Sequence, residues 1–289
     1  MIPRPTKVSV LMITYDQERY IGQAIESVLA QQVDFAYELV IGEDCSTDGT
    51  RAICEAYQEA QPQTVRLLAR EKNLGMAGNF FSTIAECTGE YLAIIEGDDF
   101  WTDPLKLQKQ ADYLDGNPGC ALVFARTEAF FQDVSRRGYE IPPPDIGPYT
   151  LDGLLRTNYI ATCSVMYRKD LVPVYPPWIR QLEMLDWPLN VLYAQRGAIG
   201  FIDEPMAAYR IHTGSTFSSR NVADNYSSIL KFYQRIGPQV GPQYANTISR
   251  SEATVCIALA RSAFAHWNWR DAVRYALLAL RYHARSRMK

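Results

Sequence analysis

The chain has 289 residues, 47% hydrophobic and 21% charged, with a formal net charge of −3. That length and balance support a large packed α/β core and exclude a disordered chain. The acidic balance argues against a dedicated nucleic-acid binder. Cys45, Cys54, Cys87, Cys120, Cys163 and Cys256 are scattered without a C-x-x-C pair. They read as small buried thiols in a reducing, cytoplasmic setting, not as a zinc site or disulfide framework. No leader stands out before Val8, and no run reaches the roughly 18 apolar residues of a membrane span.

Residues 8–13 (VSVLMI) form a continuous apolar run, the pattern of a parallel strand covered on both faces. Ile21, Ile25, Val28 and Leu29 follow at helical spacing. Strands are predicted at 38–42, 65–69 and 91–95, with helices at 51–59 and 79–87. Short alternation of strand and helix means a doubly wound sheet, in which ligands sit beyond the carboxyl ends of the strands. Residues 125–150, with Pro142-Pro143-Pro144 inside, read as irregular. A strand at 163–167, a helix at 183–195 and a strand at 199–202 follow. The polar stretch 212–223 reads as a mobile loop and a candidate lid. From about 224 the chain turns helical. Ala253, Ile257, Ala260, Phe264 and Trp267 make one stripe; after Asn268, Ala272, Ala276, Leu277 and Leu280 make another. Two stripes around a break predict a helical hairpin.

The strand ends carry the chemistry. Thr14-Tyr15-Asp16-Gln17-Glu18 follows the first strand, Glu43-Asp44-Cys45-Ser46 the second, and Glu96-Gly97-Asp98-Asp99 the fourth. Adjacent carboxylates at a buried edge raise each other's pKa unless a cation lies between them, and hard oxygen ligands suit Mg²⁺ or Mn²⁺. A solvated turn with a helix cap is an equal reading of Asp98-Asp99, and capping is the better one for Asp44 taken alone. Asp186, just before Trp187-Pro188, fits either a helix start or a general base. His212 suits a structural role or metal ligation, and Arg210 a phosphate contact. The chain lacks a Walker loop, a G-x-G-x-x-G and an H-E-x-x-H.

Taken in order, VSVLMITYDQERYIGQAIESVLAQ, ELVIGEDCSTDGT, GEYLAIIEGDDFWTDPLKLQKQ and MLDWPLNVLYAQRGAIGFIDEPMAAYRIHTGS resemble the family 2 glycosyltransferases over roughly residues 7–217. The resemblance implies an α/β fold of GT-A type, a Rossmann-like nucleotide-binding sheet flanked by helices, here followed by the C-terminal hairpin. It implies a nucleotide-binding half at 1–125 and an acceptor half at 126–223, with 224–289 as a helical extension. The activity implied is inverting transfer from a nucleotide-diphosphate sugar, with UDP favoured, to a hydroxyl of a glycan or glycolipid, with Mn²⁺ or Mg²⁺.

Carried position by position, Asp186 is the expected base. Thr14, Tyr15, Glu18, Glu43, Asp44, Asn73, Glu96, Gly97, Asp98 and Arg210 are expected around the nucleotide. Asp98, Asp99 and His212 are expected at the metal. Glu43 and Glu96 stand where the family usually has aspartate. A sugar-nucleotide nucleotidyltransferase would need a glycine-rich basic loop that residues 14–19 lack. A non-catalytic nucleotide- or metal-binding module would not need residues 150–217. For 224–289 three uses stay open: packing, a homo-oligomer, or peripheral contact with the inner face of a membrane through its basic, apolar-laced end, which includes Arg287 and Lys289.

Overall fold

The computed structural model describes residues 5–132, 136–214 and 221–286. The expected strands and helices of the first half are in place. They are β1 (Val8–Thr14), α1 (Ile21–Leu29), β2 (Tyr37–Glu43), α2 (Thr50–Ala60), β3 (Val65–Ala69), α3 (Gly75–Ile84) and β4 (Tyr91–Glu96). β1 pairs in parallel with both β2 and β4, and β2 with β3. Alternate residues on these strands enter two separate cores. Val8, Val10 and Met12 face α1, with Ile21, Ala24, Ile25 and Val28, while Leu11 faces the opposite side with Phe80 and Phe81 of α3. Burial on both faces is why these strands read as unbroken apolar runs.

The second half departs from the pattern reading. After β5 (Phe100–Trp101), a helix that periodicity did not pick out, α4 (Lys106–Gly116), covers the sheet beside α1. The stretch expected to be irregular begins inside a 12-residue strand, β6 (Cys120–Phe131), and includes a short one, β7 (Tyr139–Ile141). Helix α5 (Leu151–Leu154) leads to β8 (Met166–Arg168), three residues shorter at its start than expected because Thr162–Ser164 forms a 3-10 turn. Helix α6 (Asp186–Ala194) starts at Asp186, not at 183, and β9 (Ala198–Ile211) runs 14 residues. The sheet order is β3-β2-β1-β4-β8-β6-β9-β5, with β8 antiparallel to β4 and β6 and β5 antiparallel to β9. The sheet is therefore mixed. Its long β6–β9 pair carries Arg210 and His212 back to the same edge as the ends of β1, β2 and β4.

The C-terminal part holds three helices: α7 (Val222–Ile236), α8 (Ala245–Ala265) and α9 (Trp269–Arg285). Asn221 and Asn268 cap α7 and α9, accepting from Asp224 N at 2.8 Å and Asp271 N at 3.2 Å. Helix α7 packs on α6 through Trp187, Phe232 and Tyr233, and α8 is tied to the Leu155 carbonyl by Ser251 Oγ at 3.1 Å. The sheet core thus continues into α7 and α8. The two expected stripes do not both face inward. Ala253 and Ala272 are buried, whereas Ile257, Phe264, Trp267, Leu277 and Leu280 lie in solvent. The central residues of the expected lid, 215–220, and Arg287 and Lys289 lie outside the described residues.

Candidate active site

The loops after β1 and β2 are laced together. Asp16 Oδ1 accepts from Thr47 N at 2.7 Å, Gln17 N donates to Thr50 Oγ1 at 2.8 Å, and Glu18 N to Asp48 Oδ2 at 3.1 Å. Glu18 Oε2 in turn accepts from Gly49 N at 2.6 Å, at the start of α2. Asp16 and Cys45 hold φ of 51° and 62°, left-handed conformations tolerated where surrounding bonds over-determine the turn. Glu43 is fully buried beneath this lattice, with Arg51 Nε at 2.6 Å and Ser46 N at 2.5 Å. Its carboxylate shapes the loop from below and presents no exposed oxygen, which differs from the contact expected of it with nucleotide.

Asp44 is buried, and its Oδ1 accepts from Leu74 N at 2.7 Å, tying the second strand end to the approach to α3. Asn73, just before, accepts from Gly75 N at 2.9 Å, a bond that shapes the turn into α3. Thr14 Oγ1 donates to Gln17 Oε1 at 2.8 Å. Gly97 lies against both: a Cβ there would sit 2.5 Å from Gln17 Oε1 and 2.8 Å from Thr14 Oγ1. Only glycine lets the turn after β4 close onto the loop after β1. Tyr15 is exposed beside them.

At the end of β4, Glu96, Asp98 and Asp99 bring one carboxylate oxygen each to within 4.8 Å of one another. Asp99 Oδ1 accepts from Arg210 N at 2.9 Å, while its buried Oδ2 has no hydrogen-bond partner among the described residues. Burial, then the neighbouring charge of Asp98, pushes Glu96 up to about 8 and holds Asp99 well above the usual carboxylate range. His212 Nε2 lies 3.1 Å from Asp98 Oδ2, with its ring packed against Tyr20. Crowded carboxylates, an orphaned oxygen and an adjacent imidazole fit a hard divalent cation, which would relieve the repulsion among them. The cluster thus includes Glu96, expected around the nucleotide, beside Asp98 and Asp99, expected at the metal.

Arg210 has a different position from the one its residue type suggests. It is 6% exposed. Its Nε donates to Asp98 O at 2.7 Å, one terminal nitrogen to Gln23 Oε1 at 2.6 Å and the other to Gln132 Oε1. Its guanidinium also stacks among Tyr20, Phe100 and Phe130 at 4.7–5.3 Å. It holds the acidic turn through the Asp98 carbonyl, with its guanidinium nitrogens already engaged by protein acceptors.

Asp186 opens α6. The N-cap position belongs to Leu185, so the aspartate is not the capping residue. Its Oδ2 accepts from Asn158 Nδ2 at 2.6 Å. Burial raises its pKa, while Asn158 and the backbone N–H groups at the helix start pull it partly back. Its charge acts on Glu96, so the start of α6 lies near the acidic turn. Glu183, the other acid nearby, accepts from Ser228 Oγ at 2.6 Å. Asn158 was not legible in the sequence, because it lies in the unpatterned stretch before the turn at Thr162–Ser164. Lys106 was equally hidden. Fully buried, it is pushed down to about 7 by burial and donates to Gln110 Oε1 at 2.7 Å. Gln110 then holds the Ser164 carbonyl at 2.7 Å, and Trp101 Nε1 the Cys163 carbonyl at 2.8 Å, bracing the floor beneath Asp99.

Comparison with known proteins matches this architecture. Rv1520 of Mycobacterium tuberculosis, an uncharacterized protein, is 37% identical over 231 residues, 80% of this chain. The chain spans 64% of that relative's length. A Bacillus subtilis protein named for teichuronic acid biosynthesis, the glycosyltransferase TuaG, is 30% identical over 214 residues, 74% of this chain and 82% of the relative. Among solved structures, S. aureus TarS in complex with UDP-GlcNAc superposes with a TM-score of 0.63 at 17% identity, covering 96% of this chain and 92% of that one. The mannosyltransferase PcManGT from Pyrobaculum calidifontis, in complex with GDP-Man and Mn²⁺, gives 0.65 at 16% identity, covering 96% and 76%. These two share the fold, a GT-A sheet with helices around it. The model of "Glycosyl transferase family 2" matches residues 9–172, and the chain belongs to that family.

Proposed function

We propose that this enzyme is an inverting, metal-dependent transferase that moves a sugar from a UDP-sugar to an acceptor hydroxyl. The observation that carries the reading is the nearness of Asp186 to the Glu96-Asp98-Asp99 cluster, close enough for its charge to act on Glu96. Leaving-group and nucleophile chemistry need charge stabilisation on one side and a base on the other. Held by Asp98, Asp99, Glu96 and His212, a divalent cation would neutralise the charge that builds on the departing diphosphate.

Asp186 takes the proton from the acceptor hydroxyl as it attacks the anomeric carbon from the face opposite the diphosphate. One displacement inverts the configuration and needs no covalent intermediate. Burial, by raising its pKa, makes Asp186 a stronger base than an exposed aspartate. Asn158 holds the carboxylate in one orientation. At the base end, Asp44 Oδ1 is already engaged by Leu74 N. Its second oxygen suits the single N3–H of uracil better than the paired N–H groups of guanine. Tyr15 lies beside it for stacking. Thr14, Gly97 and Asn73 line the approach, and Glu18, Glu43 and Arg210 act by holding these loops. The relationship to TuaG supports an acceptor in polysaccharide or glycoconjugate synthesis.

The test is Asp186→Asn, which keeps size and removes the basic carboxylate. Transfer is expected to fall roughly 10²–10⁴-fold with UDP-sugar affinity retained. Near-normal transfer would overturn the mechanism.

A further inference from the structure

The solvent side of the α8–α9 hairpin is built unlike the rest of the surface. Phe264, Trp267, Trp269, Val273, Leu277 and Leu280 are each more than half exposed. The first three form one aromatic cluster at the turn: Phe264 meets Trp269 edge-on at 4.9 Å, and Trp267 meets Trp269 at 6.0 Å. Every residue from 264 to 270 is exposed. Contiguous apolar surface of this kind marks an interaction site.

The arrangement on α9 is in three sectors. Ala272, Ala279 and Tyr282 are buried against the protein. Trp269, Val273, Leu277 and Leu280, at spacings of four, four and three, make an exposed apolar strip. Arg270, Arg274, Arg281 and Arg285 are all exposed, and Arg270, Arg274 and Arg281 each sit one position on from an apolar residue, so the arginine strip runs beside it. Residues 245–286 contain six arginines, all exposed, against Glu252 and Asp271, in a chain whose net charge is −3. Glu252 is buried, so the outward face is more one-sided still.

We propose that this face lies in the interface of an anionic lipid bilayer. The tip aromatics sit at headgroup depth, the apolar strip of α9 rests on the acyl boundary, and the arginine strip pairs with lipid phosphates. Tryptophan favours that interface because its ring is apolar and its N–H is polar, and an apolar strip flanked by cations is the pattern of helices that lie on membranes. Charge selects this occupant over a second copy of the chain. A second copy brings the same excess of arginine to the contact, whereas anionic lipid brings its complement. Among the described residues no helix is long and apolar enough to cross a membrane, so the contact is one of lying on the surface. The inference is independent of the transfer chemistry.

The experiment is co-sedimentation of the full chain with vesicles of phosphatidylcholine alone or with 30% phosphatidylglycerol, about one lipid in three as in anionic membranes. It is combined with quenching of tryptophan emission by brominated lipid. The expected result is binding to the anionic vesicles only, weakened by salt. Arg274→Gln/Arg281→Gln should weaken it roughly tenfold or more. Trp267→Ser/Trp269→Ser should abolish both binding and quenching. All four positions are exposed, and unchanged circular dichroism and thermal midpoints check that the variants fold. Absence of binding to anionic vesicles overturns the proposal. So does a concentration-dependent dimer in sedimentation velocity that the tryptophan variant dissolves while wild type ignores lipid. Equal binding to neutral vesicles, unaffected by the arginine variant, overturns the arginine–phosphate part.

Discussion

Replacing Arg210 by methionine removes a guanidinium that makes three side-chain hydrogen bonds, to Asp98 O, Gln23 and Gln132, from a site that is 6% exposed. Methionine keeps much of the packing against Tyr20, Phe100 and Phe130 but leaves three acceptors unpaired. Hydrogen bonds to a charged group contribute about 1.5–3 kcal/mol each, offset by the desolvation of the cation. Burial does lower the Arg210 pKa, the sign of such an offset. Each buried acceptor left unpaired costs about 1–3 kcal/mol; with relief of the cation's desolvation in offset, a net loss of about 3–5 kcal/mol is expected on urea denaturation. Arg210→Lys, which can satisfy one direction at a time, should lose somewhat less, about 2–3 kcal/mol. Because the guanidinium holds the carbonyl of Asp98, Mn²⁺ affinity by calorimetry should weaken roughly 10–100-fold in both variants. A diphosphate-binding arginine would behave oppositely: UDP affinity would collapse while stability stayed within about 1 kcal/mol of wild type. That outcome would refute the clamp.

Asp98→Ala should abolish Mn²⁺-dependent UDP binding by calorimetry while the far-ultraviolet circular dichroism stays unchanged; retained metal-dependent binding would remove Asp98 from the cation site. The pH–rate profile follows from Asp186, whose pKa burial raises above its ordinary value of 3.8. The base must be ionised, so turnover is expected to rise with pH along an acid limb displaced above the usual aspartate range, and Asp186→Asn should erase that limb. The linked stability has the opposite sign. Burial favours the protonated form, so this group's stabilisation is present below the unfolded pKa and lost as pH rises through the folded one. Asp186→Asn should therefore be at least as stable as wild type at neutral pH, with any advantage shrinking on acidification; a variant less stable at pH 7 than at pH 4, relative to wild type, would contradict this.

The sequence by itself determined the strand and helix alternation of residues 8–96. VSVLMI, ELVIG and YLAII are apolar on both faces, a pattern that strands buried between helix layers produce and few other elements do. The acids that follow them had to emerge at one edge because parallel strands share a direction. The family motifs were local, so their residues were readable one segment at a time. Tertiary structure decided what those residues are free to do. Glu43 and Arg210 carry the right chemistry at the right positions, yet Arg51 and a cage of Tyr20, Phe100, Phe130, Gln23 and Gln132 commit them to holding the loops. These partners lie up to 187 residues away in sequence, and no local pattern encodes them. Asn158 meets Asp186 across 28 residues for the same reason. Of the long β6–β9 pair only residues 199–202 read as strand in the sequence, because pairing supplies the regularity that the rest of its mixed composition lacks. In the hairpin, periodicity located both helices and the break at Asn268. An apolar stripe looks the same whether it faces a neighbouring helix or water, and only the packing of α8 and α9 on α7 and Leu155 decided which apolar residues were left outside.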